Sequence, residues 1–259
     1  MTIREIIGVI ERRAPLEYQD GFDNSGLQVG TDLDRECRKV MVCLDITEEV
    51  VDEAVAQGCD MLVSHHPLLF HPLKQLTLST YQERCVVKAL ASSLVIYSAH
   101  TSLDNAPGGV NYKIAELIGM EKCEWLDPKP GINAGSGLLG YLVVDETPES
   151  LMDRLKSIFK VVCLVHSPIV GGDKIRKVAL CGGAGAFLIS KARACGAQCF
   201  ITGELHYHDF FDPGMLLVGL GHYQSEQYTM DLLRDIMADE CPELEIQFTS
   251  VLTNPLRYL

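Results

Sequence analysis

The sequence of 259 residues contains no apolar run that reaches the ~18 residues needed to span a bilayer. Its amino-terminal stretch, MTIREIIGVIERRAP, carries charges within the apolar positions and has no small-residue cleavage site, so we expect no signal peptide. Basic residues are scarce, because 22 Lys and Arg stand against 35 Asp and Glu, which gives a formal net charge of −13. This balance argues against a nucleic-acid partner held by phosphate contacts alone, and no membrane partner is expected.

Several catalytic signatures are also missing. The ten cysteines form no Cys-x-x-Cys pair, and the chain has neither a Gly-x-Ser-x-Gly nucleophile elbow nor a Gly-x-x-x-x-Gly-Lys-Ser/Thr phosphate loop. Because several cysteines lie in apolar runs, we predict buried, reduced thiols rather than disulfides or metal ligands, and hence a cytoplasmic protein. Gly182 and Gly183 end a predicted strand, so they form either a plain tight turn or a phosphate cradle.

What is present is a globular α/β pattern, with 47% hydrophobic and 22% charged residues. Most predicted strands are continuously apolar, which is typical of parallel strands covered on both faces. Thr2 and Glu5 form a predicted capping box for the first helix. Helices are predicted over 3–13, 47–57, 82–92, 109–119, 148–159, about 185–195 and about 225–238. Strands are predicted over 39–45, 60–64, 94–99, 138–144, 161–166, 177–181, 199–202, 216–220 and 243–251, whereas 22–30 is interpreted as a loop and 125–138 as a crossover.

Two stretches of the chain repeat the same pattern. RKVMVC and RKVALC end at Cys43 and Cys181, and each is followed fifteen residues later by a glycine and then by a second strand. At this offset Ser64 matches Thr202 and His66 matches Glu204. The repeat predicts two similar βαβ lobes facing each other across a pseudo-two-fold axis. We place them at 1–125 and 126–259, interlinked and without a flexible linker.

Metal-capable side chains follow the predicted strands of both repeats. They are His65, His66, His100, His222 and Glu204. Because the carboxyl ends of parallel strands carry the ligands of open α/β sheets, this placement indicates a site rather than packing. Asp104 and Glu226 each follow a histidine by four residues, His100 and His222 respectively, and could bridge two cations.

The adjacent His65 and His66 would point to opposite faces of an extended strand, but a turn at Pro67 would let both reach one centre. Slightly diverging imidazoles suit two metals better than one. A nitrogen and oxygen donor set without thiolates points to Zn, Fe, Mn or Co. Two such ions would share a water and lower its pKa, with Glu204 or His100 moving protons.

Four other histidines receive weaker interpretations. His71 and His166 are interpreted as surface or loop residues. His206 and His208 either support the predicted centre or lie on an exposed helix.

Six segments together resemble the motifs of the Ngg-interacting-factor-three-like family, whose members are also called GTP cyclohydrolase I type 2 homologues or dinuclear metal-centre proteins. These segments are FDNSGLQVG, LVSHHPLLF, SAHTSLDNAPGGVN, ITGELHYHD, GHYQSE and TNPL. The match runs from about residue 20 to residue 256. Only about 60 residues separate the two halves, so the middle domain inserted in longer relatives is not expected here.

The resemblance implies two interlinked α/β lobes with a dinuclear metal site between them, assembled into a toroidal homohexamer. The implied ligands of the two divalent ions are His65, His66, Asp104, His222 and Glu226, with His100 near the site. The implied function is a metal-dependent hydrolase, GTP cyclohydrolase-like, acting on a small molecule or nucleotide. The alternative is a non-catalytic, metal-loaded oligomer that binds and regulates a protein or nucleotide partner.

Overall fold

The computed structural model describes residues 1–169 and 174–257, which divide into two compact units. Unit 1 combines Met1–Leu103 with residues 229–257, and unit 2 is Asp104–Tyr228. The sequence placed a lobe boundary after residue 125. In the structure unit 2 already begins at Asp104, because residues 120–128 pair with the strand at residues 135–146. The chain returns to unit 1 at Thr229.

Regular structure follows the predicted alternation closely. Within the described residues the helices are α1 Ile3–Arg13, α2 Glu48–Ala56, α3 Tyr81–Ala91, α4 Thr101–Asp104, α5 Val110–Leu117, α6 Pro148–Phe159, α7 Ile189–Ala194, α8 His222–Glu226 and α9 Thr229–Glu240. The strands are β1 Gly26–Val29, β2 Lys39–Cys43, β3 Met61–Ser64, β4 Val95–Ser98, β5 Met120–Pro128, β6 Gly135–Glu146, β7 Val165–His166, β8 Ile175–Cys181, β9 Cys199–Thr202, β10 Leu216–Gly219 and β11 Glu245–Phe248. Short 3-10 turns occupy Leu16–Tyr18, Ala186–Leu188 and Tyr207–Phe210.

Unit 1 contains a five-stranded sheet in the order β1-β4-β3-β2-β11. Strands β4, β3, β2 and β11 are parallel, and only β1 at the edge runs antiparallel. On one face Met41 and Leu62 pack in a cluster with Val50 of α2 and Ala89 of α3. Val40 points to the other face and is also fully buried, so both faces are covered, as the unbroken apolar pattern predicted.

Unit 2 contains a six-stranded sheet in the order β5-β6-β8-β9-β10-β7. Its centre, β8-β9-β10, is parallel, whereas β5, β6 and β7 pair antiparallel. Phe200 and Leu217 are fully buried in a cluster with Ala192 of α7. The predicted α/β class with mostly parallel central strands is confirmed.

Equivalent residues pair in the same way within each of the two sheets, which supports the predicted duplication. In unit 1 Cys43 pairs with Ser64, and in unit 2 Cys181 pairs with Thr202, at the offset found in the sequence. Each second strand is followed by a parallel third strand, β4 or β10, and each third strand has an antiparallel edge strand, β1 or β7. The repeated scaffold is therefore four strands wide.

A side-chain clamp recurs where the paired strands begin. Asp60 Oδ2 accepts hydrogen bonds from the backbone amides of Arg38 at 2.9 Å and Lys39 at 3.2 Å. Gln198 Oε1 accepts from the amides of Arg176 and Lys177, both at 2.9 Å. Arg38 precedes β2 and Lys39 begins it, whereas Arg176 and Lys177 are the second and third residues of β8. Each clamp therefore satisfies two amides near the start of a strand.

The first helix shows how local sequence sets an element boundary. Thr2 Oγ1 accepts from the Glu5 amide, and the Glu5 carboxylate accepts from the Thr2 amide, which is the predicted capping box. Ile3, Ile6 and Ile10 are fully buried along one side of the helix, which contacts α9. Truncating one of these isoleucines to Ala would cost roughly 2–5 kcal/mol.

The structure differs from the sequence prediction at several places. The loop predicted over 22–30 contains β1, and the crossover predicted over 125–138 contains the end of β5 and the start of β6. The strand predicted over 161–166 is reduced to β7, and the helix predicted over 225–238 is two helices, α8 and α9. Strands β1, β5 and β7 are sheet edges, where side chains are half-exposed and the apolar pattern is weak.

Two further sequence expectations concern thiols and membranes. All ten cysteines are free, and six of them are buried: Cys37, Cys43, Cys85, Cys181, Cys199 and Cys241. In the described parts of the chain, no helix combines the length and apolar character that a membrane crossing requires.

Candidate metal centre

Three imidazoles of unit 1 converge beyond the carboxyl ends of β3 and β4. His65 and His66 follow β3 directly, and His100 follows β4 by two residues. The ring centroids lie 4.8 Å apart for His65 and His66, 5.3 Å for His65 and His100, and 5.5 Å for His66 and His100. One nitrogen of each ring lies within 4.8 Å of the other two. Such convergence of donors suits a metal ion, as the strand-end placement predicted.

A hydrogen bond at Nδ1 fixes each of these rings. His65 Nδ1 lies 3.0 Å from the Ala99 carbonyl oxygen, and His66 Nδ1 lies 2.7 Å from Asp45 Oδ1. His100 Nδ1 lies 2.6 Å from Asp23 Oδ1. A ring that donates through Nδ1 carries its lone pair on Nε2, so coordination would use Nε2. A carboxylate or carbonyl behind the imidazole is the usual support of metal-binding histidines.

Asp23 is held as a carboxylate by its neighbours. Burial alone would raise its pKa, but hydrogen bonds from His100, Thr101 and Ser25 hold the pKa well below its usual range. Its Oδ2 also accepts the Thr101 amide at 3.0 Å and the Ser25 hydroxyl at 2.7 Å. The loop before β1 therefore supplies a fixed anion behind His100.

Asp45 has the corresponding role behind His66. Burial would raise its pKa, but the hydrogen bonds from His66 and Thr253 keep it below its ordinary value. Thr253 donates its hydroxyl to Asp45 Oδ2 at 2.7 Å. The closing TNPL motif thus has a physical task, since its threonine orients the carboxylate that orients His66.

The backbone at the histidine pair turns in the way that Pro67 suggested. The amides of His65 and His66 donate to the carbonyls of Cys43 and Leu44, so the backbone of both residues remains hydrogen-bonded to the end of β2 and the residue after it. The Ser64 hydroxyl then donates to the His66 carbonyl at 2.8 Å and lies 2.7 Å from the Ser98 hydroxyl. This small hydroxyl network closes the turn and brings both rings to the same side of the sheet end.

Unit 2 gathers a histidine and three carboxylates around α8. His222 Nε2 lies 3.2 Å from Glu226 Oε2, one helical turn away, and His222 Nδ1 lies 2.9 Å from Glu204 Oε1. One carboxylate oxygen of Asp104 lies within 4.8 Å of one of Glu226. The Glu226 side chain is 4% exposed and that of Glu204 is 53% exposed. Glu204 therefore lies behind His222, in the position that Asp23 takes behind His100.

This arrangement passes a simple test of fit for a cation. Two carboxylates within 4.8 Å, one of them buried, repel each other in a medium where water cannot screen them. A divalent ion between them removes that penalty. The described residues of both units thus offer histidine and carboxylate groups that could bind metal, without any thiolate.

Glycines make room for Glu226. A Cβ at Gly183 would lie 2.3 Å from Glu226 Oε1, and its φ of +58° also favours glycine. A Cβ at Gly203 would lie 2.6 Å from the Gly183 carbonyl oxygen and 2.7 Å from the Ser225 hydroxyl. The CGGAG turn therefore leaves space for the Glu226 carboxylate, and we name Gly183 with this space the glycine cradle.

Asp104 is tied to the same turn through its backbone. Asn111 is buried, donates its amide group to the Asp104 carbonyl at 3.0 Å and accepts from the Gly182 amide at 3.0 Å. The first turn of α5 thus connects the residue that opens unit 2 with the glycine pair below Glu226.

The register separates His100 and His222, the two histidines that each precede a carboxylate by four residues. His100 follows the last residue of β4 by two positions, whereas His222 follows the last residue of β10 by three and begins α8. The two histidines therefore do not occupy equivalent backbone positions, although both lie beyond third strands. His206 and His208 lie at the exposed 3-10 turn Tyr207–Phe210, and His71 and His166 are exposed, as predicted for the latter two.

Sequence reasoning missed Asp23 and Asp45. Both were present in or near segments already singled out, since Asp23 lies in FDNSGLQVG and Asp45 comes two residues after β2. An isolated aspartate in a loop looks like a solvated residue. Only the contacts with His100 and His66 reveal what these two do.

Residues 1–255 match the family model described as Duf34/NIF3 (NGG1p interacting factor 3). The chain belongs to the Duf34/NIF3 family. This confirms the resemblance drawn from the six motifs. Among Duf34/NIF3 relatives, a GTP cyclohydrolase 1 type 2 homolog of Clostridium perfringens is 34% identical over 230 residues, which cover 87% of each chain.

Solved structures agree with the fold. A Bacillus cereus protein related to NIF3 is 24% identical and covers 100% of this chain and 99% of its own, with a TM-score of 0.89. Reduced HcgD from Methanocaldococcus jannaschii is 28% identical with a TM-score of 0.83, covering 97% of this chain and 98% of its own. The duplicated α/β architecture is therefore the fold of this Duf34/NIF3 chain.

Proposed function

We propose that this Duf34/NIF3 protein is a metal-dependent hydrolase that holds two divalent ions, Zn, Fe, Mn or Co. The ligands of this proposal are His65, His66, Asp104, His222 and Glu226, drawn from both units. The observation that carries it is the set of converging imidazoles, each fixed at Nδ1 by a carboxylate or carbonyl so that Nε2 has the lone pair. His100 has the same support and lies beside these ligands, with its Nε2 kept for proton transfer.

Two bound divalent ions supply Lewis acidity and lower the pKa of water to near neutrality. The chain itself contributes orientation. Asp23 and Asp45 keep the protons of His100 and His66 on Nδ1, and Glu204 does the same for His222. The glycine turn at Gly183 keeps the Glu226 carboxylate in place.

Proton transfer is assigned to Glu204 and His100. The Glu204 side chain is half exposed, and only its Oε1 contacts His222, so its other oxygen can accept a proton from water and pass it to solvent. His100, 16% exposed as a side chain, shares its Nδ1 proton with Asp23. Both groups combine a fixed position with access to solvent.

The substrate class proposed from the relatives' names is a small molecule or nucleotide with a hydrolysable bond, as in a GTP cyclohydrolase. The discriminating experiment incubates Mn-, Fe- and Zn-loaded protein with a nucleotide and phosphoester panel and follows product by mass spectrometry. Turnover that disappears in the Glu226→Gln variant and persists in the surface variant Glu243→Gln supports hydrolysis. Metal binding without turnover of any compound would favour a regulatory, metal-loaded oligomer instead.

We further propose a cytoplasmic homohexamer. Ten free cysteines fit a reducing compartment, and unit 2 exposes several large apolar side chains, including Val143, Val144 and Val162 at 60–75% exposure. Light scattering at micromolar concentration should give the mass of six chains of 28.6 kDa. A stable monomer under these conditions would contradict the assembly.

A further inference from the structure

Two exposed phenylalanines stand beside the three imidazoles of unit 1. Phe22 is 68% exposed and Phe70 is 37% exposed. Their ring centroids are 6.3 Å apart at an interplanar angle of 61°, and the Phe70 ring lies 6.0 Å from the His100 ring at 82°. A row of rings therefore leads from solvent to a candidate metal ligand.

The loops that carry these rings are fastened to each other. Asn24 Nδ2 donates to the Leu69 carbonyl at 2.8 Å, and Gln28 Oε1 accepts from the Leu69 amide at 3.1 Å. Phe22 immediately precedes Asp23, whose carboxylate is held by His100 and Thr101. Both phenylalanines are thus presented on backbone that is fixed before any ligand arrives.

Exposure of such large apolar rings on fixed loops costs free energy that burial would recover, at about 25 cal/mol per Å². Single exposed apolar residues need no explanation, but a pair that continues into a candidate ligand set is a different case. Edge-to-face packing of the pair leaves ring surface for a third ring, and aromatic pairs gain about 0.5–1.5 kcal/mol beyond area burial.

We propose that Phe22 and Phe70, together named the aromatic wall, bind a planar aromatic ring of the substrate whose polar group is directed to the metals. This inference rests on the proposed metal-dependent function and narrows its substrate class to aryl or heteroaryl compounds. The wall makes no bond to the reacting atoms. It positions the ring, while the imidazoles beside it face the polar group.

Three hydroxamates that share one metal-binding group test the wall by affinity rather than by activity. Benzohydroxamate carries a phenyl ring, cyclohexanecarbohydroxamate a saturated ring of similar size, and acetohydroxamate a methyl group. Dissociation constants are measured by calorimetry on the full chain loaded with Zn or Mn. We expect benzohydroxamate to bind about tenfold more tightly than acetohydroxamate, with the saturated ring in between.

The matched variants are Phe22→Ala with Phe70→Ala in one chain, and Phe187→Ala, which removes a 66% exposed phenylalanine of unit 2. The double variant should lose the tenfold preference for benzohydroxamate and keep the wild-type affinity for acetohydroxamate. Phe187→Ala should change neither affinity. If the double variant does not fold by circular dichroism, Phe22→Ala alone should lower the preference about threefold.

Each contrary result has a separate meaning. Equal affinities for the phenyl and saturated rings, or a preference that survives in the variants, would overturn the aromatic wall while leaving the metal site intact. A change of molecular mass in the double variant would overturn it as well, because the rings would then contact a second copy. Loaded protein that binds none of the three hydroxamates would overturn the aromatic wall, whereas failure of the wild-type chain to load metal at all, measured by elemental analysis before the titrations, would refute the proposed function.

Discussion

Where the duplicated strands begin, Asp60 of unit 1 and Gln198 of unit 2 occupy equivalent positions, and each accepts from the equivalent pair of backbone amides in its own unit. One is an acid and the other an amide, yet each keeps two strands in register. The carboxyl ends of the strands are different. At the repeat offset His66 of unit 1 corresponds to Glu204 of unit 2, and His65 corresponds to Gly203.

The difference has a local cause in unit 2. Gly203 has no space for a side chain, since a Cβ there would lie 3.0 Å from the His222 Cα and closer still to its other neighbours. Likewise Asp45 matches Gly183, which must leave room for Glu226. Unit 1 thus supports His66 and His100 with carboxylates behind the rings. Unit 2 has one such carboxylate, Glu204 behind His222, and in addition leaves room for the buried Glu226 carboxylate by an absence of side chains. The clamp thus keeps its hydrogen bonds when an acid is replaced by an amide, whereas the strand ends differ in whether a side chain is present at all.

The largest effect on this difference between the units is expected when a side chain fills the glycine cradle of unit 2. Gly183→Ala places a Cβ 2.3 Å from Glu226 Oε1, so we expect at least tenfold weaker metal binding and a clear loss of stability. Gly196→Ala is the matched control, because Gly196 has a φ of +72° and a Cβ added there would have nothing within 4 Å. Both variants should bear the cost of a left-handed residue, about 1–2 kcal/mol, and only the first should lose metal. Equal metal content in the two variants, measured by elemental analysis, would show that the cradle does not matter.

Glu226→Gln removes the buried charge without changing its size. Losing that charge raises the mutual repulsion of two dications in a partly dry pocket. The variant should hold fewer than two metals per chain and lose any hydrolytic activity by at least tenfold. Elemental analysis after gel filtration, with circular dichroism and the exposed variant Glu243→Gln alongside, checks this. Two metals per chain in the folded variant would leave Asp104 as the carboxylate of unit 2.

His66→Ala examines the other kind of site, in which an imidazole is the ligand and a carboxylate supports it. We expect less bound metal after a chelator challenge and only a modest loss of stability, because His66 lies beyond the end of β3 and contributes little to the core. His166→Ala removes an exposed histidine of β7 and serves as control. A wild-type ratio of metal to protein in His66→Ala would mean that this imidazole is not a ligand.

The clamp predicts a smaller, pH-dependent contrast. Burial alone would raise the pKa of Asp60, but hydrogen bonds from the Arg38 and Lys39 amides and from Arg35 lower it. A group whose folded pKa is depressed contributes stability above its unfolded pKa, about 3.9, and loses that contribution as pH falls through the folded value.

Asp60→Asn should therefore lower the melting temperature by a few degrees at pH 7 and flatten its decline between about pH 5 and pH 3. Asp153→Asn changes an exposed aspartate of α6 and should leave both unaltered. Thermal unfolding followed by circular dichroism measures the effect. An unchanged slope in acid would show that the clamp in unit 1 is as indifferent to pH as Gln198 must be.

The sequence predicted the parts of the fold that local physics determines. The capping box of Thr2 and Glu5 fixed the start of α1, and unbroken apolar runs located the central strands to within two residues or so. Several edge strands were not predicted, because the strands that pair with them come from distant segments of the chain. Lys122 and Glu124 of β5, for example, are exposed between half-buried positions and carry no local strand signal.

The residues of the candidate site likewise fall into those that local sequence predicts and those that depend on distant segments. Histidines at strand ends could be found, because parallel strands deliver their carboxyl ends to one edge. Asp23 and Asp45 could not, because their function depends on rings contributed by other strands, 77 and 21 residues away in the chain. The single-residue shift between His100 and His222 also required the observed register.

The order of segments along the chain has a consequence for synthesis on the ribosome. Strand β11, which pairs with β2, and helix α9, which contacts α1, are made after Asp104–Tyr228, which forms a continuous stretch. The middle unit can thus complete its sheet while the first 103 residues still lack an edge strand and a covering helix. Domains fold as units, normally from the amino terminus during translation. Here the first 103 residues must wait, with the edge of β2 open, until residues 229–257 have left the exit tunnel.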